Sequence, residues 1–304
     1  MSVFLISLPV FIIIFAGWFF RKIKVANGDW VHFLNNFAYY VSLPALITAS
    51  LWDINFFDKN SWNIVLFSLI SVVLFSLIIF TALHFLKIRK SLKAGIFLAA
   101  TVGNTVYMGF PLIELGFGKQ NLSNGALVAL IYLIVPLLSA IFIIKYWHDR
   151  THKISSQLKE FLKNPLVIST LIGFALSFLK IDFPLAAAAK KSLSMLGATA
   201  SPVALFALGG FIYGRFLKKD LWFVFGVSLL KTIAFPLVVF GVSLYLFKIN
   251  HLGIFALLSS MPVAVTTFVI AEKFNNEKEL IGNAIFLSII FSFIVAPIVI
   301  YLFS

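Results

Sequence analysis

Two apolar stretches of this chain carry one pattern, and both are interrupted near the middle. Gly95-Ile96-Phe97 and Gly253-Ile254-Phe255 open them, a glutamate follows nineteen residues later (Glu114, Glu272), and Asn124-Gly125-Ala126-Leu127 or Gly282-Asn283-Ala284-Ile285 comes next. The first interruption is Gly103-Asn104-Thr105, with Gly109 and Pro111 behind it; the second is Met261-Pro262, followed by Thr266 and Thr267. The medium around them is hydrocarbon: 61% of the 304 residues are hydrophobic, 12% are charged and mean hydropathy is +1.05, values that belong to a polytopic membrane protein. There every backbone polar group needs an internal partner, so a helix breaks only where the freed groups face protein or a cavity. The interruptions therefore point to a transport site.

An all-α chain of ten spans is predicted, near 3–20, 31–51, 62–86, 94–116, 122–144, 165–180, 192–213, 221–247, 251–272 and 279–303. Each is close to the roughly 20 residues that cross a bilayer core. With the N-terminus outside, the inner loops hold 17 of the 24 Lys and Arg, six lie outside and Lys231 lies within a span. Both termini are thus expected away from the cytoplasm, in a multi-pass protein of the plasma membrane. The formal charge of +13 is a topology signal between apolar runs, not the footprint of a nucleic-acid partner. Met1 to Pro9 lacks a positive region, so no cleavable leader is expected.

The repetition extends along the whole chain. Pro9 and Gly17 recur with identical spacing as Pro165 and Gly173, Pro44 in Leu43-Pro44-Ala45-Leu46 recurs as Pro202 in Ser201-Pro202-Val203-Ala204-Leu205, and Trp62 recurs as Trp222. Five spans per copy is odd, so the second copy enters from the opposite face: a 5+5 inverted repeat, 1–145 and 165–304, joined by the basic linker 146–164. At about 1.5 Å per residue, Asn104 and Pro262 both lie about 15 Å deep, so the broken fourth and ninth helices cross near the midplane. Helices restarting beyond the breaks aim positive N-termini at the crossing, which suits an anion; ordinary proline kinks are the simpler reading, set aside because polar residues cluster at matching depth.

Lys231, in Leu229-Leu230-Lys231-Thr232, lies at similar depth, where a lysine costs about 2.5–3.5 kcal/mol by insertion scales. It either attracts a carboxylate or bonds carbonyls freed by a broken helix. No Asp or Glu lies mid-span to pair with it, an absence that weighs against buried-carboxylate coupling to protons or sodium. Glu114 and Glu272, at span ends, read as solvated ends before proton carriers. Ser42 and Ser201, each just ahead of a proline, either line a pocket or bond their own helix. The 36 phenylalanines read as lipid-facing bulk. His148 and His152 have metal spacing but no further ligand nearby, so neither metal nor cofactor is expected. With no cysteine there is no disulfide or thiolate site, and the phosphate loop, nucleophile elbow and paired-aspartate motif are also missing, so an enzyme is not expected.

Tyr40-Val41-Ser42-Leu43-Pro44-Ala45-Leu46, Gly103-Asn104-Thr105-Val106-Tyr107-Met108-Gly109-Phe110-Pro111, and Pro262 with Phe268-Val269-Ile270-Ala271-Glu272-Lys273-Phe274 resemble the auxin efflux carrier family. That family contains plant carriers and bacterial carriers of malonate, malate and related carboxylates. The resemblance implies a scaffold of spans one, two, six and seven (1–51 and 165–213), forming a homodimer, and a mobile transport domain of 62–144 and 221–303. It places the family's crossing-point asparagine on Asn104. A second proline of plant members is Thr267 here, and their long cytoplasmic loop is missing, so the chain resembles the bacterial organic-acid carriers more.

The expectation is a secondary transporter that moves a small organic anion by alternating access. Asn104, Thr105, Met108 and Pro111 form one wall, Pro262, Thr266 and Thr267 the other, Lys231 adds positive potential, and Ser42 and Ser201 approach from the scaffold. The alternatives are a sodium- or proton-coupled carrier of the bile-acid-symporter type, for which buried acids are missing, and an intramembrane enzyme, for which no catalytic set is found.

Overall fold

The computed structural model describes residues 3–52, 54, 58–147, 162–179, 184–214 and 220–303. The His148/His152 pair, most of the basic linker, and Lys180, Arg215, Lys218 and Lys219 lie outside the described residues. Among the described residues every regular element is helical: α1 (Val3–Lys22), α2 (Gly28–Phe37), α3 (Leu43–Leu51), α4 (Lys59–Phe85), α5 (Lys90–Thr101), α6 (Gly109–Phe117), α7 (Leu122–Trp147), α8 (Pro165–Leu179), α9 (Pro184–Ala198), α10 (Ala200–Ile212), α11 (Leu221–Leu229), α12 (Phe235–Tyr245), α13 (Leu252–Ser259), α14 (Val265–Lys273) and α15 (Lys278–Phe303).

Six of these stretches are long and apolar enough to cross a membrane: Leu5–Lys22, Lys59–Phe85, Lys119–Trp147, Pro184–Ile212, Leu221–Tyr245 and Lys278–Phe303. The remaining expected spans are not continuous apolar helices of that length. Pro165–Leu179 is apolar but has 15 residues. Gly28–Leu51 begins on a polar turn containing Asp29, and the expected fourth and ninth spans are each two short helices.

Two helical stretches contain a widened π turn, Ala38–Ser42 and Leu230–Ala234. Each ends two residues before a proline, Pro44 or Pro236. A proline has no N–H to donate and its ring crowds the carbonyl four residues back; an extra residue in the preceding turn relieves both. Pro9, Pro136 and Pro297 sit inside helices that lack such a turn, so proline alone does not dictate it.

Glycine sets how closely the helices approach. A Cβ on Gly17 of α1 would strike the carbonyl oxygen of Phe206 in α10, and one on Gly209 of α10 would strike that of Ile14. Lipid tails are as apolar as leucine, so helices in a bilayer gain most from such backbone contact at small residues. Gly173 of α8 makes the reciprocal contact with α3: its Cβ would lie 2.8 Å from Leu51 Cβ and 3.3 Å from Thr48 Cα. The Thr48 hydroxyl donates to Ser169 O across the same interface, at 3.1 Å. Phe206 follows Pro202 by four residues, as Thr48 follows Pro44.

The phenylalanines divide into two populations, which corrects the reading of them as lipid-facing bulk. Phe15, Phe33 and Phe178 are exposed, but Phe67, Phe75, Phe97, Phe110, Phe235 and Phe255 are fully buried. Phe75 stacks on Phe235 with centroids 4.4 Å apart, and Tyr132 packs on Phe235 at 4.9 Å while its hydroxyl meets Ser71 Oγ at 3.0 Å. This aromatic block lies beside Lys231, behind the crossing.

Candidate functional site

The two broken stretches cross and pair with each other. Between α5 and α6 the chain leaves helical geometry at Val102, and between α13 and α14 it does so after Ser260. Gly103 and Val263 form an isolated antiparallel bridge, in which Asn104 N donates to Pro262 O at 2.7 Å and Ala264 N to Val102 O at 3.1 Å. Backbone groups released by one helix are thus satisfied by those released by the other, the internal pairing that hydrocarbon requires. Asn104 and Pro262, the two expected crossing residues, are direct hydrogen-bond partners.

The accounts at the end of α13 close only with a side chain. Ser260 N donates to Ala256 O and Leu257 O, and Met261 N to Leu258 O. The next carbonyl, Ser259 O, would take the amide of residue 262, which is proline and has none. The amide of Val263 is turned away to Ser288 Oγ, at 3.0 Å. Lys231 fills the vacancy: its Nζ donates to Ser259 O at 2.6 Å from the π turn, with the side chain fully buried. It crosses at Gly103, where a Cβ would sit 2.6 Å from Lys231 Cε and 2.7 Å from Nζ. The ammonium also lies 5.0 Å from the Phe235 ring centroid, within cation–π range. Of the two roles open to Lys231, the geometry supplies bonding to a freed carbonyl.

Three side-chain atoms near the crossing have no partner: Asn104 Nδ2, Thr105 Oγ1 and Thr266 Oγ1 are all buried and unbonded. An unmade buried hydrogen bond costs about 1–3 kcal/mol, so a cluster within three residues of the bridge calls for an explanation. Thr267, by contrast, is satisfied, its hydroxyl donating to Ala264 O at 2.6 Å. Met108 and Pro111 are buried at the start of α6. Pro111 stands in the first turn of that helix, where few amides have intrahelical partners to lose. α14 restarts two residues past Val263 and α6 six residues past Gly103, after a turn, and each is nine residues long.

Ser42 and Ser201 belong to a second cluster among the described residues. Ser42 Oγ lies 2.7 Å from Thr199 Oγ1, joining the first π turn to the Pro184–Ile212 helix, and Ser201 follows two residues after Thr199. Glu114 and Glu272 are exposed, away from the paired backbones.

Ser288 and Ser292 were not singled out from the sequence. Both are buried on α15, with Ser288 Oγ accepting from Val263 N and Ser292 Oγ 3.4 Å from Ser260 O. Two serines four apart in the apolar run that follows Asn283 place hydroxyls on one face, a pattern visible in the sequence. Ser288→Ala leaves the Val263 amide buried and unpaired, at a cost of about 1–3 kcal/mol. A fall of several degrees in the melting temperature of the purified protein is expected, and a smaller one for Ser292→Ala.

Residues 2–300 match the membrane transport protein family. An uncharacterized transporter of Methanocaldococcus jannaschii is 25% identical over 302 residues, covering 95% of each chain. A candidate malonate transporter of Rhizobium meliloti is 24% identical over 301 residues, covering 94% of this chain and 91% of that protein. The lysosomal cholesterol signaling protein of mouse is 26% identical over 319 residues, covering 96% of this chain but 36% of the larger protein.

Proposed function

The chain belongs to the membrane transport protein family, that of the auxin efflux carriers, and from this membership we propose that it is a secondary carrier moving a small organic anion through the helix crossing. The observation that carries the reading is that, of the six unpartnered buried side-chain atoms among the described residues, three, Asn104 Nδ2, Thr105 Oγ1 and Thr266 Oγ1, flank the bridge. An amide and two hydroxyls left unbonded inside a membrane protein are donors in want of an acceptor, and a carboxylate, which is acceptor-only when ionised, supplies one. Helix α14 restarts beside Thr266 and α6 one turn beyond Thr105, each with the positive end of its dipole toward the break. Met108, Pro111 and Pro262 shape the walls, and Thr267 holds the start of α14. Lys231 keeps the crossing closed and adds positive charge, with Ser42 and Ser201 on the scaffold side. The name of the Rhizobium meliloti relative supports a short dicarboxylate as cargo.

The architecture proposed with it is ten crossings in two inverted repeats, 1–145 and 165–304, linked by 146–164. The reciprocal contacts of Gly17 with α10 and Gly173 with α3 support this, since each glycine meets the residue four beyond the other repeat's proline. Residues 1–51 and 165–213 form the scaffold, which dimerises. Residues 62–144 and 221–303 carry the crossing from one face to the other. The distribution of Lys and Arg supports termini outside, and the resemblance to bacterial carriers supports a bacterial inner membrane.

The test is uptake by the purified protein in liposomes of a panel of labelled mono- and dicarboxylates and indole-acetate. Saturable entry of at least one, well above empty liposomes, is expected. If no anion of the panel moves, the reading is wrong.

A further inference from the structure

Lys231 closes the backbone at the second break. Its Nζ is bound to the carbonyl at the C-terminal end of α13, Ser259 O at 2.6 Å, and lies 5.0 Å from the centre of the Phe235 ring. A helix C-terminus carries the negative end of the backbone dipole and an aromatic face is negative as well, so both groups favour a positive charge. That carbonyl is orphaned by Pro262, and Gly103 leaves room for Nζ where any Cβ would stand 2.7 Å away. The site is therefore built around a cation rather than merely tolerating one.

A carrier draws on an ion gradient only if the ion binds in one part of its cycle and leaves in another, because coupling is a difference in ligand affinity between states. A cation joined to the chain by four methylenes never leaves. We propose that the Lys231 ammonium is a built-in replacement for a coupling cation at the crossing, so that this carrier moves its anion without Na+ or K+, and that removing the side chain turns the break into a site for a free small cation. The transport half of this inference rests on the function proposed above; the binding half does not.

Two arms test it. In liposomes, complete replacement of Na+ and K+ by choline leaves the wild-type rate of carboxylate uptake unchanged; a rate that collapses in choline overturns the inference. In the second arm, the melting temperatures of purified wild type, Lys231→Ala and Lys231→Ser are followed against added Na+ and methylammonium. The variants melt lower in choline and rise by about 3 °C at a cation concentration roughly ten times its Kd, while wild type does not move. Variants that show no rise with either cation, or that fail to fold in both, overturn it, because a purely structural lysine has no exchangeable substitute. A wild type that carries no anion defeats the functional reading alone, since the melting arm still reports on the cation site.

Discussion

Asn104→Ala is expected to slow carboxylate transport by about 10- to 100-fold while the protein keeps its melting temperature. The two effects separate because Asn104 does two jobs with different atoms. Its backbone N–H makes the 2.7 Å bond to Pro262 O that joins the breaks, and any residue but proline supplies that. Its side-chain Nδ2 is buried without a partner, and alanine removes a donor that the empty protein does not use. Hydrogen bonds to a charged group are worth about 1.5–3 kcal/mol, at about 1.4 kcal/mol per factor of ten, which sets the size of the loss. Relief of an unsatisfied amide leaves stability unchanged or slightly higher, the usual balance at a binding site. Uptake rates and melting curves on the same preparation check both halves. A variant that is slow only because it unfolds contradicts the assignment.

Gly209→Leu is expected to remove the folded protein almost entirely. A Cβ at this position meets the carbonyl oxygen of Ile14, a backbone atom that no rotamer change can move. The α1 and α10 helices must then separate along their length, and the cost exceeds about 4 kcal/mol, at the extreme of single substitutions. Gly17→Leu acts on the same interface from the other side, against Phe206 O. The control is Gly241→Leu, where a Cβ meets nothing within 4 Å and leucine improves helix propensity. The yield of monodisperse protein after size exclusion should fall to near zero for Gly209→Leu and Gly17→Leu and hold for Gly241→Leu. Equal yields for all three would mean that the close packing of α1 and α10 is not what holds this part of the fold.

What the sequence carried about the site was mostly local. Pro262 betrays a break because the missing N–H is a property of the residue itself, and helical rise places Asn104 at the same depth. The antiparallel pairing at Gly103 and Val263 is a relation between segments about 160 residues apart, which spacing within either segment cannot report. Lys231 was visible as a charge in hydrocarbon, but its choice of Ser259 O depends on the amide that Pro262 lacks and on Val263 turning toward Ser288. Likewise Ser42 finds Thr199 across helices rather than bonding its own, because a neighbouring hydroxyl competes with the local carbonyl. Among the described residues six long apolar helices stand against ten expected spans: the fourth and ninth are each two short helices around a break, the sixth is 15 residues long and the second opens on a polar turn. The buried phenylalanines depart from expectation for a related reason: composition says that a residue prefers hydrocarbon, not whether lipid or protein provides it.

The most direct test of the account is equilibrium binding of a labelled dicarboxylate to the purified protein and to Asn104→Ala, with melting curves as the control for folding. Saturable binding to the wild type, weakened at least about tenfold in the variant through loss of one charge-assisted hydrogen bond, is the predicted result. Equal affinities in two equally folded proteins would show that the anion is held elsewhere than at the crossing of the broken helices.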